Sequence, residues 1–117
     1  MKRPLSVTLV ACVYILVGTI GFVHHFGEFW RTRAFHWDFV ATELMELLAL
    51  LFGIFLLRGQ NWARWGALAW MFFHVVISAF GAFREFAVHA LICVVIAWCL
   101  FRPEAARYFG AARTERR

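Results

Sequence analysis

The sequence predicts an all-α membrane protein, a single domain of four transmembrane helices in an antiparallel bundle. Three observations carry that reading. Of the 117 residues, 63% are hydrophobic and only 16% are charged, against about 25% charged residues in an ordinary soluble domain. The uncharged residues fall in runs close to the roughly 20 that a helix needs to cross the hydrocarbon core. The linkers between these runs are short, and tight linkers place successive helices up-down-up-down. This composition excludes a disordered chain, a water-soluble enzyme of ordinary make-up and a disulfide-stapled secreted module.

The expected spans are residues 5–28, 38–57, 62–83 and 85–101, followed by a basic tail over 102–117. In the first, only His24 and His25 interrupt the apolar run. It is too long for a signal-peptide core and no A-x-A site closes it, so it reads as a retained helix. Asp38 is suited to cap the second helix. Gly59-Gln60-Asn61 reads as the turn into the third, and Arg102-Pro103 as the stop after the fourth. Cys12, Cys93 and Cys99 all fall inside spans and read as small packing residues, with no disulfide framework and no C-x-x-C.

Basic residues set the orientation. Lys2, Arg3, Arg58, Arg64, Arg102, Arg107, Arg113, Arg116 and Arg117 fall on the side of the termini, and Arg31, Arg33 and Arg84 on the other. That bias places both termini in the cytoplasm of a bacterial-type inner membrane. The net charge of +5 is then a topology signal and an attraction to anionic lipid, with no need for a nucleic-acid partner. Trp30 and Trp37 at one end, and Trp62, Trp65 and Trp98 at the other, suit the two aromatic belts.

The polar residues are distributed unevenly across the membrane. All five histidines and the acids Glu28, Asp38, Glu43, Glu46 and Glu85 fall in the outer half or the outer loops. An ionisable group inside a span costs about 2.5–3.5 kcal/mol on insertion scales and faces the bundle interior. Helical spacing aligns these groups into one stripe per helix. Tyr14, Gly18, Gly21, His25 and Glu28 share the first, and Glu43, Glu46, Leu50 and Gly53 the second. Ala67, Met71, His74, Ser78 and Gly81 share the third, and Glu85, His89 and Cys93 the fourth. Counted from the outer ends, His25, Glu43 and His89 share one depth. Glu46, His74 and Cys93 lie a turn deeper, with Glu28 and Glu85 at the rim.

Two imidazoles and a carboxylate are a competent ligand set for zinc, iron or copper. His25, Glu43 and His89 are therefore the expected metal ligands, with Glu28, Glu46, His74, Glu85 and Cys93 as a second layer or a relay. The same pair of histidines offers haem b two axial ligands, as a weaker reading. A metal-free alternative makes the cluster a proton- or ion-conducting relay. The bland alternative makes it hydrogen-bonded glue, in an accessory subunit that stabilises a larger membrane complex. The lipid bilayer is the first partner, with self-association or a larger complex beside it. No catalytic template is present, neither H-E-x-x-H nor a phosphate loop nor a serine triad.

The opening Lys2-Arg3-Pro4-Leu5-Ser6-Val7-Thr8-Leu9, the loop Leu57-Arg58-Gly59-Gln60-Asn61-Trp62-Ala63-Arg64-Trp65 and the ending Arg102-Pro103-Glu104-Ala105-Ala106-Arg107-Tyr108-Phe109 resemble a broad group of small bacterial four-span membrane proteins. The overall plan, with a glutamate opening the second span, is also similar to DoxX-like four-helix membrane proteins. The resemblance implies the four-span fold and carries over no catalytic residues. The histidine–glutamate cluster of the outer half is not part of either pattern.

Overall fold

The computed structural model describes residues 2–115, with side chains described as far as residue 111. It is all-helical among those residues: α1 is Leu5–Thr32, α2 Trp37–Leu57, α3 Asn61–Ser78, α4 Phe83–Phe101 and α5 Pro103–Glu115. Three of them, α1, α2 and α4, are long and apolar enough to cross a membrane. The helix α3 is not one of them. It holds 18 residues, among them Asn61, Arg64 and His74, and these dilute its apolar character.

The third helix also ends earlier than the expected 83. The Ser78 hydroxyl donates to the Val75 carbonyl (2.9 Å), and Phe80 and Gly81 take up tighter, three-residue backbone bonds to Ile77 and Ser78. These tighter bonds unwind the helix end. At its own C-terminal end α1 runs on through residues expected to be a linker. It closes at Arg33, whose φ of 56° is left-handed and whose N–H reaches the Phe29 carbonyl at 2.7 Å, a common way to end a helix. Asp38 is not the cap of α2. That position is His36, with no side-chain cap bond, and Asp38 lies in the first turn, where its charge suits the helix dipole.

The helices pack in a ring, α1 on α2, α2 on α3, α3 on α4 and, more lightly, α4 on α1. The α1–α2 contact is the most intimate, because small residues let the backbones meet. A methyl group at Gly18 would fall 2.6 Å from the Glu46 carbonyl oxygen, and one at Gly53 would fall 2.8 Å from the Ala11 carbonyl oxygen. The buried core continues through Val7, Tyr14, Ala49, Leu56, Ala67 and Met71 to Ile96 and Leu100 of α4.

The tail contains a fifth helix. Pro103 stops α4 as expected, yet it also opens α5, since proline is well suited to a first helical position. Ala105, Tyr108 and Phe109 are buried. The Tyr108 hydroxyl donates to the Leu57 carbonyl at 2.8 Å, and the Arg64 guanidinium lies over the Phe101 and Phe109 rings, at 4.4 and 5.2 Å. Of the basic residues expected in this tail, Arg116 and Arg117 lie outside the described residues, and of Arg113 only the backbone is described.

Candidate functional site

Glu43 and Glu46 sit one turn apart on α2 and both face the bundle. Glu43 is buried, 7% exposed, and neither of its carboxylate oxygens has a hydrogen-bond partner among the described residues. Glu46 Oε2 is likewise buried and unpartnered. Its carboxylate packs into the notch left by Gly21 of α1, where an added methyl would fall 2.5 Å from Cδ. The notch exists because position 21 carries no side chain. Any larger residue there meets the carboxylate.

Three histidines are held alike. The ring Nδ1 of His25 lies 2.8 Å from the Gly21 carbonyl, that of His74 2.9 Å from Trp70, and that of His89 2.7 Å from Glu85. A carbonyl oxygen only accepts, so each Nδ1 is the donor, and in the neutral ring Nε2 keeps its lone pair. Such a bond to a backbone carbonyl fixes tautomer and ring orientation. The Glu46 carboxylate packs against Gly21, whose carbonyl holds His25, and Glu46 shares a cleft wall with His74. Two carboxylates and two imidazoles from three helices thus share one neighbourhood.

A cleft of about 330 Å³ opens beside this neighbourhood. Glu46, His74 and His89 line it together with Tyr14, Trp70 and Met71. The Tyr14 hydroxyl donates to the Ala67 carbonyl at 2.5 Å, and the Trp70 indole N–H to the Met45 carbonyl at 3.0 Å. The two rings lie 5.3 Å apart, and the Trp70 ring lies 4.0 Å from that of His74. These bonds tie α1 to α3 and α3 to α2 at the level of the cleft.

The structure divides the sequence-derived set differently from its expected layers. Glu46 reaches toward His25 through the Gly21 notch, whereas His89 joins Glu46 and His74 on the cleft. Among the described residues no group of three His, Cys, Asp or Glu side chains is arranged around a common metal position. Glu28 turns away from the site. It is exposed and pairs with Arg31 at 2.6 Å. Glu85 is exposed too, and it meets His89 through its backbone carbonyl rather than its carboxylate. Cys93 packs against the core, half-buried.

Trp70 is the residue that sequence reasoning did not single out for the site. A signal for it was present. It is the one tryptophan of six that belongs to neither belt, and it lies one turn before His74 on α3. The chain matches no family model, no curated protein and no solved structure.

Proposed function

We propose that this chain is a four-span protein of a bacterial-type inner membrane, with both termini cytoplasmic, that takes up and releases protons at Glu43 and Glu46. The observation that carries the reading is that, among the described residues, both carboxylate oxygens of Glu43 and Oε2 of Glu46 are buried without a hydrogen-bond partner. A bare carboxylate in a low-dielectric interior is costly unless it gains a proton or a cation. The neighbouring imidazoles donate through Nδ1 to backbone carbonyls and present Nε2 as an acceptor, which suits them to pass that proton on. Four spans follow if α3, packed between α2 and α4, crosses with its neighbours. Its polar residues then face the bundle or its ends. The chain also reads as one that associates with itself or with a larger complex, because α4 fully buries only Ile96 and Leu100 and leaves Leu91, Val94, Val95 and Trp98 exposed.

Proton uptake by reconstituted protein, followed with a pH-sensitive dye inside vesicles, tests the proposal. Wild type acidifies or alkalises the lumen under an imposed gradient, and Glu43→Gln and Glu46→Gln both lose that response. A second reading, a bound transition-metal ion, draws on the imidazoles, which keep Nε2 free for a ligand bond. It requires His25, Glu43 and His89, or Glu46, His74 and His89, to close around the ion. Elemental analysis of purified protein decides it. Near-stoichiometric zinc, iron or copper, released on acidification as the imidazoles protonate, would favour the metal over the proton. A Soret band would mark haem.

A further inference from the structure

The polar cleft does not end at Tyr14. Val13, Tyr14, Ile92 and Ile96 also line a second cleft of about 390 Å³, continued by Leu9, Val95 and Cys99. Together they follow the seam between α1 and α4, the lightest contact in the ring. One end of the seam is apolar. The other carries Glu46, two imidazoles and two aromatic rings, and no lysine or arginine is found among its described lining residues. A cleft between membrane-length helices is reached from the bilayer, so its occupant is a lipid-soluble molecule.

The donor and acceptor inventory narrows the head group. His74 and His89 donate through Nδ1 to backbone carbonyls and present Nε2, an acceptor. Glu46 adds a carboxylate side chain to the cleft wall. The Tyr14 hydroxyl and the Trp70 N–H are both spent on backbone carbonyls, which leaves their rings as walls. Negative charge, acceptor atoms and aromatic faces together match a cation, since a ring face attracts a positive centre within about 6 Å.

We infer that the α1–α4 seam binds a hydrophobic organic cation, an alkylammonium class of ligand, with its charged head between Glu46, Tyr14 and Trp70 and its alkyl tail against Val13, Ile92 and Val95. The inference rests on reading Glu46 as an anion within the membrane, and it makes the organic cation a competitor of the proton at that carboxylate.

Titration calorimetry of detergent-purified, folded protein with decyltrimethylammonium tests it, with 1-decanol as the uncharged probe of the same tail. The expected result is saturable binding of the ammonium, weakened about tenfold or more in Glu46→Gln, retained in Glu46→Asp and little changed in Glu43→Gln, which is not on the cleft. Equal affinity for the ammonium and the alcohol would overturn the inference, as would equal affinity of wild type and Glu46→Gln. Failure of the two proposals separates cleanly. Proton uptake without ammonium binding removes only the organic cation, and ammonium binding without proton uptake removes only the proton reading.

Discussion

At the scale of single residues, the site depends on what is missing as much as on what is present. Gly21 has no side chain, and the space this leaves is taken by the Glu46 carboxylate. A Gly21→Val chain must push that carboxylate out of its notch or part α1 from α2. The expected outcome is a folded protein of lower stability whose vesicle proton response falls as far as that of Glu46→Gln. A response equal to wild type would show that the position of Glu46 is immaterial. The histidines illustrate what a sequence withholds. Helical spacing placed His25, His74 and His89 on inward stripes, but it carried no information on ring rotation. The bond from each Nδ1 to the carbonyl one turn earlier decides which nitrogen faces the site. Glu28 shows the opposite failure. Its spacing put it on the polar stripe, and a neighbouring Arg31 at the exposed helix end drew it away.

At the scale of helices, the α1–α2 pair is built on small residues, and this was legible in part. The stripe of Gly18 and Gly21 on one helix and Gly53 on the other was visible as spacing. Backbone contact at 2.6–2.8 Å from an added methyl emerges only when the helices are docked. Overpacking such a contact costs about 1–3 kcal/mol, so Gly53→Leu should lower the midpoint of unfolding in a detergent–denaturant titration, whereas Gly27→Leu, with open space around it, should not. The fifth helix was less legible. Proline reads as a stop, and the charged residues around it read as a solvated tail. The helix forms because Ala105, Tyr108 and Phe109 fall on one face that α3 and α4 can bury. Phe109 is 1% exposed, and Phe109→Ala should cost about 3–5 kcal/mol. Tyr108→Phe, which loses only the bond to Leu57, should cost about 0.5–1.5 kcal/mol. If α5 were merely resting on the surface, both would leave the melting curve unmoved.

At the scale of the whole molecule, hydropathy foretold the all-helical fold and its three helices long and apolar enough to cross a membrane, while the ends of its elements followed local chemistry. The α3 helix stops at Ser78 and α1 continues to Thr32, because a hydroxyl bond and a left-handed residue decide helix ends, and neither registers in an apolar count. At about 1.5 Å per residue, the 28 residues of α1 exceed the bilayer core. In the proposed topology the helix tilts or projects beyond it. The proposed topology has a direct check. Single cysteines at positions 33 and 80, in a background lacking the native three, should react with an impermeant maleimide from outside intact cells, and one at position 59 should not. Labelling at 59 with protection at 33 would invert the orientation. The central claim, that unpartnered carboxylates in the bundle take up protons, meets its most direct test in infrared difference spectroscopy of the protein in lipid through a pH titration. Protonation of a buried carboxylate gives a carbonyl stretch of the neutral acid. The account predicts two such bands that titrate reversibly, one lost in Glu43→Gln and the other in Glu46→Gln. A spectrum without any protonated-acid band that depends on Glu43 or Glu46 would contradict it.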